Sequence, residues 1–283
     1  MTPDGVVFEV AWGVASDRGR RGDNQDSHFA DPPIFVVADG MGGHASGKAA
    51  SAAVVGAFEP LAGRTWLDPD DLMAAIGRAA EQVGALAADQ GRRPGSTLTG
   101  VGMLVRDDQP CWLVFNVGDS RTYHFHDGQL EQVSVDHSRV QELIDAGDLA
   151  PSLGRTHGER HVLTRAFGAG APGEPTVDQW LLAAAAGDRI LLCSDGLTSE
   201  VTDQLIAALL ADHADPAAAA AALVTAATSA GGRDNVTALV VDVVAVTTPA
   251  GLPGPEVATV PYGALVAEIA ALSGEAPPAA REG

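Results

Sequence analysis

The sequence predicts an α+β fold in which antiparallel strands are layered with helices. Apolar, β-branched runs of strand length cluster in the first half of the chain and return near its end, with alanine-rich segments between them. The segments "RDDQ" and "HDGQ" have the composition of tight hairpin turns, which join antiparallel neighbours. This order differs from the strict strand–helix alternation that is typical of a parallel sheet.

Seven segments are predicted as strands because each combines apolar residues with β-branched or aromatic ones. In chain order they are Phe8–Ser16, Ile34–Ala38, Thr97–Val105, Trp112–Val117, Thr122–Phe125, Arg189–Cys193 and Val236–Val246. Five segments rich in alanine are predicted as helices. These are Ser46–Leu61, Pro69–Ala88, His137–Ala146, Asp203–Leu210 and Pro216–Ser229.

The composition changes near Val246, which sets a domain boundary. The segment "TTPAGLPGPEVATVP" is rich in proline and glycine and is typical of a linker. The following "YGALVAEIAAL" has the pattern of one short amphipathic helix, either docked or part of a disordered end. We therefore expect one main domain over residues 1–246, followed by a linker and C-terminal tail over residues 247–283.

Composition limits the classes of function. Hydrophobic residues make up 46% of the 283 residues, which is enough for a packed core. The formal net charge of -20 disfavours nucleic acid and anionic membranes as partners. The apolar runs are too short to span a membrane and no secretory leader is recognisable, so we expect a soluble, cytoplasmic protein. Cys111 and Cys193 lie in apolar stretches and are expected to be buried, inert thiols, and the chain is expected to be a monomer.

Five aspartates lie at or between the predicted strands. Asp39 follows "IFVVA", Asp119 follows "WLVFNVG", Asp195 follows "RILLCS", Asp234 precedes "VTALVVDVV", and Asp26 lies between the first two strands. Each one alone is explained by a turn or a helix cap. Carboxylates gathered at strand ends, however, repel one another unless cations or protons bridge them, and hard ions such as Mg²⁺ and Mn²⁺ prefer oxygen ligands. From the residues alone both interpretations stay open.

The segment "GGHASGKA" raises an alternative, since it approximates the phosphate-binding loop G-x-x-x-x-G-K-[ST]. Ala49 stands where that loop needs a hydroxyl to bind Mg²⁺. A nucleotide loop also leaves Asp26, Asp119 and Asp234 without a role. In the metal interpretation, Gly40, Gly42 and Gly43 let the chain turn closely around an ion held by Asp39. Ser46 is then expected to cap the next helix.

Eight motifs together resemble one family. In chain order they are "RRGDNQD", "VADGMGGHASG", "GSTLTG", "NVGDSR", "DHSRVQELIDAG", "LTRAFG", "LLCSDGL" and "GGRDNVTALVV". Their order and spacing are similar to those of the bacterial metal-dependent protein phosphatases, the type 2C (PPM) serine/threonine phosphatases. The resemblance covers about Phe8 to Val246, so residues 1–246 are expected to form a type 2C phosphatase catalytic domain.

The resemblance implies an αββα sandwich, in which two antiparallel β-sheets are flanked by paired helices, and a metal cluster at one end. By analogy with the family, Asp39 would bridge two core ions, with the Gly40 carbonyl, Asp195 and Asp234 as further ligands. Asp119 would help to hold a weaker third ion. The implied cofactors are Mn²⁺ or Mg²⁺, as two core ions and a weaker third.

The resemblance also implies a reaction. A water bridging the two ions would attack a phosphoserine or phosphothreonine monoester, with Arg21 binding the phosphate and Asp26 holding metal-bound water. Substrates would be phosphoproteins, with a cognate Ser/Thr kinase as a candidate partner. A non-enzymatic module that only binds a phosphorylated partner is the competing interpretation, and the retained aspartates argue against it.

Three departures from the family pattern affect the expected chemistry. Gln25 stands where many members carry glutamate, and Met41 where animal relatives carry a histidine proposed as general acid. Lys48 stands where an acidic residue is usual, on what is expected to be an exposed helix face. The general acid is therefore unassigned, with His157 and His161 as candidates.

Overall fold

Two antiparallel β-sheets lie face to face, and helices cover the outer face of each. The computed structural model describes residues 6–86, 93–168, 175–247 and 260–261. Sheet I has the strand order β1-β11-β10-β7-β8, and sheet II has the order β12-β9-β6-β5-β3-β2, with β4 paired to β3. Every strand pair is antiparallel. The predicted α+β sandwich is confirmed.

The strands of the two sheets have the following bounds. Sheet I contains β1 (Val7–Asp17), β7 (Arg121–His126), β8 (Gln129–Gln132), β10 (Arg189–Cys193) and β11 (Val236–Thr247). Sheet II contains β2 (Asp26–Asp31), β3 (Ile34–Met41), β4 (Gly95–Ser96), β5 (Leu98–Arg106), β6 (Gln109–Val117), β9 (Asp178–Ala183) and β12 (Val260–Pro261).

The helices form an outer layer on each side, with one further helix at one end of the sandwich. Sheet II is covered by α1 (His44–Gly56) and α2 (Pro69–Gly84), and sheet I by α4 (Asp195–Thr198), α5 (Asp203–Asp212) and α6 (Pro216–Ala230). The remaining helix, α3 (Arg139–Asp145), lies along a cleft at one end of the sandwich. This places a helical layer on each outer side and leaves one end open for a site.

The apolar core has three layers, and the central strands contribute to two of them. On β3, Phe35 and Val37 face the other sheet, whereas Ile34 and Val36 face the helices. Strand β11 alternates in the same way between the inter-sheet core and the layer under α5 and α6. Because both faces are buried, these strands are continuous apolar runs without a polar alternation, and that is why they are recognisable in the sequence.

Strands β2, β4, β8 and β9 were not predicted from the sequence. Strand β4 has only two residues, too few for a recognisable pattern. Strands β2 and β8 are the outer strands of their sheets, and their sequences "DSHFAD" and "QLEQ" are largely polar. An edge strand buries less of its surface, so its sequence carries little of the apolar signal. Strand β9 is apolar, but it runs into an alanine-rich segment that hides where it ends.

The predicted bounds of three helices were wrong. Helix α2 ends at Gly84, four residues before the predicted end at Ala88. Helix α1 begins at His44 after Gly43, so Ser46 lies inside its first turn and does not cap it. It stops at Gly56, and Glu59–Leu61 forms a separate 3-10 turn, because Pro60 cannot continue an α-helix. Helix α3 begins after Ser138, whose hydroxyl accepts from the Gln141 N–H, so the predicted start at His137 lies one residue before the cap.

Most of the predicted linker and tail lies outside the described residues, as does the predicted helix "YGALVAEIAAL". Val260 and Pro261 are described, and they pair with Leu181 and Trp180 of β9. Part of the segment interpreted as a linker is therefore a short strand of sheet II. Within the described ranges, no helix is both long and apolar enough to cross a membrane.

Candidate metal centre

The five aspartates singled out in the sequence meet at one end of the sandwich. Asp26 and Asp39 are cross-strand partners at the ends of β2 and β3 in sheet II. Asp195 lies two residues after β10 and Asp234 two residues before β11, and these two strands are neighbours in sheet I. Asp119 lies in the turn that passes from β6 of sheet II to β7 of sheet I. Residues far apart in the chain thus come together in one place.

Asp26 is fixed by hydroxyl groups from sheet I. Its Oδ2 accepts hydrogen bonds from Ser194 Oγ at 2.8 Å and from Thr237 Oγ1 at 2.7 Å. Its Oδ1 is buried and has no hydrogen-bond partner among the described residues. Burial raises the pKa of Asp26 to about 6, although the two hydroxyl donors work against the rise. The carboxyl group is therefore held rigidly with one oxygen available.

The backbone around Asp39 is equally constrained. Its N–H donates to Thr97 Oγ1 at 2.9 Å, and its carbonyl accepts from the Thr97 N–H at 2.9 Å. The next residue, Gly40, donates its N–H to the Gln25 carbonyl, and a Cβ there would lie 2.0 Å from the Gly47 carbonyl oxygen. Gly40 is thus required by the close contact between the end of β3 and the first turns of α1.

The carboxylates perturb one another electrostatically. Burial, followed by the negative charges of Asp26 and Asp195, raises the pKa of Asp39 well above its usual value. Burial and the charge of Asp195 have the same effect on the pKa of Asp119. The pKa of Asp234 is also raised by burial and by Asp195, against the opposing effect of the Asn235 N–H and Arg21. Several negative charges therefore share a space from which water is partly excluded, and cations would relieve this repulsion.

The residues fit a centre for hard divalent cations. The buried Oδ1 atoms of Asp26 and Asp195 have no hydrogen-bond partner in the part of the chain that is described, and carboxylate oxygens are the ligands that Mg²⁺ and Mn²⁺ prefer. The aspartates do not bring three ligand atoms within 4.8 Å of one another. Two ions about 3.5–4 Å apart would distribute their ligands over a wider span than one ion does.

A cleft of about 540 Å³ opens beside the cluster. Asp119, Asp195, Asp234 and Arg21 line it, and α3 forms part of its wall. The exposed Arg21 donates from Nη2 to Asp234 Oδ2 at 2.7 Å and from Nε to the Arg233 carbonyl at 3.1 Å. A guanidinium has five N–H donors, so this arginine has capacity for a further anion in the cleft.

The two histidine candidates differ in their positions. His161 Nδ1 lies 3.6 Å from Asp195 Oδ2, and its side chain is about half exposed in the cleft wall. His157 accepts a hydrogen bond from the Glu159 N–H, and no contact with the aspartates is described for it. Of the two, His161 lies at the aspartate cluster.

Lys48 and Gln25 contact the backbone or side chains around the cluster. Lys48 is exposed as predicted, and its Nζ donates to the Asp26 carbonyl at 2.7 Å. The lysine of the nucleotide-loop alternative is thus bound to the end of β2. The Gln25 N–H donates to Asn235 Oδ1 at 2.9 Å, and the Gln25 Oε1 lies close to Gly47.

The sequence analysis missed the polar residues that hold the aspartates in place. Ser194 and Thr237 bind Asp26, Thr97 binds the Asp39 backbone, and Asn235 donates to the Arg18 and Asp23 carbonyls. All four lie within the quoted motifs, next to or within three residues of a predicted ligand or in "GSTLTG". Their position within these motifs could have identified them. Residue type alone could not, because serine and threonine are common at strand ends.

The sequence profile of the family described as "Protein phosphatase 2C" matches residues 16–229. The chain is 38% identical over 251 residues to the serine/threonine protein phosphatase PstP of Mycobacterium tuberculosis, an alignment that covers 84% of this chain and 46% of PstP. It therefore spans about half the length of that relative. It is 32% identical over 243 residues to the serine/threonine phosphatase stp of Listeria welshimeri, covering 80% of this chain and 93% of the relative.

Solved structures resemble the whole sandwich. The crystal structure of the catalytic domain of PstP in complex with two manganese ions superposes with a TM-score of 0.71 at 35% identity. The superposition covers 84% of this chain and all of that domain. A protein of the same architecture thus holds two manganese ions.

Proposed function

Because the chain belongs to the protein phosphatase 2C family, we propose that it hydrolyses phosphoserine and phosphothreonine monoesters at the aspartate cluster. The observation that carries the proposal is the convergence of five aspartates from both sheets beside an arginine-lined cleft. Burial, followed by the charges of neighbouring aspartates, raises the pKa of four of them, namely Asp26, Asp39, Asp119 and Asp234. Such a centre needs cations, and its open side can admit a phosphorylated side chain.

We assign the metal ligands as follows. Asp39, Asp195 and Asp234, with the Gly40 carbonyl, would hold two core Mn²⁺ or Mg²⁺ ions, and Asp119 would help to hold a weaker third. When bound, such a pair supplies Lewis acidity and activates water for in-line displacement at phosphorus. The buried Oδ1 of Asp26 is free to accept a hydrogen bond from that water, and Ser194 and Thr237 fix its orientation.

Arg21 would bind the phosphate group of the substrate. Its guanidinium lines the cleft and is held against Asp234, so its remaining donors are oriented by contacts already present. A fork of donors suits two oxygens of a phosphate better than a single ammonium does. His161, at the cleft wall beside Asp195, would be the histidine that gives a proton to the leaving alkoxide.

The proposal extends to partners and location. Substrates would be phosphoserine and phosphothreonine proteins, including a cognate Ser/Thr kinase, and the protein would act as a cytoplasmic monomer over a catalytic domain of residues 1–246. The relatives named above support the substrate class, since they are serine/threonine phosphatases.

The test measures turnover of a phosphothreonine peptide while Mn²⁺ or Mg²⁺ is titrated. We expect no turnover under chelation, and a loss of at least about a hundredfold in kcat for Asp39→Asn and Asp195→Asn, since a lost metal ligand removes several kcal/mol of charge stabilisation from the transition state. The matched control is Asp107→Asn, in an exposed hairpin turn, where asparagine tolerates the positive φ of 49°. Full turnover in either cluster variant contradicts the proposal.

A further inference from the structure

Two histidines and an aspartate gather at the opposite end of sheet I from the aspartate cluster. His124 lies directly opposite Ile190 in the β7–β10 pairing, and Ile190 belongs to the inter-sheet core. Opposed residues of antiparallel strands project to the same face, and so do residues two apart, so His124 and His126 both face the space between the sheets. Asp188, two residues before Ile190, faces the same space from the β9–β10 turn.

Three atoms of these side chains converge. His124 Nε2 lies 3.1 Å from Asp188 Oδ1, and His126 Nδ1 lies 2.7 Å from the same oxygen. All three are buried, yet none has a hydrogen-bond partner among the described residues, because the short contacts lack hydrogen-bond alignment. His124 and Asp188 are only 5% and 1% exposed. Buried polar atoms without hydrogen-bond partners need an explanation, and an ion held between them supplies one.

Asp188 is held so that one oxygen is left over. Its Oδ2 accepts from the Ala185 N–H at 2.7 Å, and its own N–H donates to the Ala185 carbonyl. Its carbonyl accepts from the Val243 N–H of β11 at 2.8 Å, and the Gly187 N–H returns a hydrogen bond to Val243. The turn thus fixes the carboxylate before any ligand arrives, with Oδ1 directed at the two imidazoles.

The set of ligand atoms indicates which ion would bind. All three atoms lie within 4.8 Å of one another. In a tetrahedral zinc site, bonds of about 2.0–2.1 Å place neighbouring ligand atoms about 3.3 Å apart. The two contacts here, at 3.1 and 2.7 Å, are shorter than this, so the side chains would separate slightly around a bound ion. Imidazole nitrogens suit Zn²⁺ and related transition metals, whereas Mg²⁺ prefers oxygen alone. His126 is half-buried and gives the site a route to solvent.

This location is separate from the proposed catalytic centre. Strand β7 begins at Arg121, two residues after Asp119, and ends at His126. Its five steps of about 3.4 Å separate the two ends by about 17 Å. Strand β10 runs antiparallel beside it, with Asp188 before its start and Asp195 after its end. No ligand is shared between the two sets.

We propose that His124, His126 and Asp188 form a second metal site, which binds one Zn²⁺ through two imidazoles and a carboxylate and leaves a fourth position for water. The bound ion ties the end of β7 to the β9–β10 turn. It has a structural role and does not depend on the phosphatase activity proposed above.

The test measures zinc bound to the full-length chain by equilibrium dialysis and elemental mass spectrometry. The protein is first stripped with a chelator, and excess Mg²⁺ is then kept present to occupy the aspartate cluster. At a zinc concentration that saturates the site in the wild type, we expect the wild type to bind more Zn²⁺ than His126→Ala. The variant should bind zinc at this site more than about tenfold more weakly, because loss of even a residue that hydrogen-bonds to a metal ligand has an effect of that size. Zinc about a hundredfold above the wild-type Kd should raise the wild-type unfolding temperature by about 5 °C and that of the variant by about half as much or less.

The matched control is His28→Gln, which removes an exposed histidine from β2 in the other sheet and should bind zinc like the wild type. Asp188→Asn serves as a second variant, because an asparagine oxygen can still accept the Ala185 N–H while the charge is lost. The proposal is wrong if His126→Ala and Asp188→Asn bind zinc with wild-type stoichiometry and affinity, or if the wild type binds none in excess Mg²⁺.

Discussion

His137 is held in one tautomer by the contacts of its two ring nitrogens. The Gly118 N–H donates to Nδ1 at 3.0 Å, so Nδ1 carries no proton. The proton is therefore on Nε2, which donates to Asp178 Oδ2 at 3.1 Å, while Arg165 donates to Asp178 Oδ1 at 2.6 Å. Gly118 directly precedes Asp119, so this chain of hydrogen bonds positions the backbone next to a proposed metal ligand.

The stabilising effect of Asp178 should depend on pH. The hydrogen bond from His137, followed by the one from Arg165, lowers the pKa of Asp178 below its ordinary value of 3.8. A lowered folded-state pKa means that the stabilisation is present above pH 4 and is lost as the pH falls through the folded-state pKa. Asp178→Asn should therefore lower the free energy of unfolding at pH 7 by about 1 kcal/mol, since the side chain is partly exposed.

Urea denaturation of the wild type and Asp178→Asn at pH 7 and at pH 3 checks this expectation. The difference between the two proteins should shrink at pH 3. Asp108→Asn, in the exposed β5–β6 turn, is the control and should leave the free energy of unfolding unchanged at both values. A difference that is the same at both pH values would contradict the assigned role of the carboxylate.

At the scale of elements, the connection between β3 and α1 sets how closely a strand and a helix can approach. The end of β3 contacts the helix backbone at Gly47, which leaves no room for a side chain at Gly40. Gly42 and Gly43 turn the chain between them with φ of 116° and 114°. The glycine-rich motif is therefore explained by packing and backbone geometry around Asp39, without a nucleotide.

Gly40→Ala should lower the free energy of unfolding by about 2 kcal/mol or more, because the added Cβ overlaps a backbone oxygen that cannot move aside alone. Chemical denaturation measures the change. The control is Gly56→Ala, at the end of α1, where a Cβ meets nothing within 4 Å and alanine should raise the free energy of unfolding by about 0.5–1 kcal/mol. Equal stabilities for the two variants would show that the contact is not tight.

What the sequence could predict depends on how deeply each element is buried. Strands β3, β6 and β11 were predicted because both of their faces are apolar, whereas the polar edge strands β2 and β8 resemble loops. Helix α4 has four residues, too few for any period to be visible. The aspartates of the site were found through their motifs, but the pairing of Asp26 with Ser194 and Thr237 depends on strand register across the two sheets.

At the scale of the whole molecule, the net charge disfavours binding of the proposed phosphoprotein substrates. The chain carries a formal charge of -20, whereas a phosphorylated peptide brings a further dianionic group. Arginines line the cleft, but three of them are already paired with acids, as Arg21 with Asp234, Arg121 with Asp136, and Arg233 with Glu200. The long-range field is therefore repulsive, even though the cleft itself offers local donors.

Phosphopeptides with basic flanking residues should have a higher kcat/KM than those with acidic flanks, by about tenfold at low ionic strength. The ratio should fall toward one as salt is added, since the screening length decreases to about 3 Å at 1 M. The test is to measure kcat/KM for the two peptides at salt concentrations from about 0.01 M to about 1 M. A ratio that does not change with salt would mean that local contacts, and not the net charge, select the flanks.

The burial of both faces of the central strands also affects how they find their alignment. In a sheet with one solvent-exposed face, shifting a strand by one residue exposes its apolar side chains, and the free-energy cost of that exposure enforces the correct pairing. In this protein, a one-residue shift of β5 would only move its apolar residues from one buried layer to the other. Shape must discriminate instead: a Cβ at Gly100 would lie 2.3 Å from the Phe115 ring, and one at Gly102 would lie 2.1 Å from Leu67. In this sandwich, steric complementarity between glycines and bulky neighbours determines which strand positions lie opposite one another, and that pairing brings the distant carboxylates together.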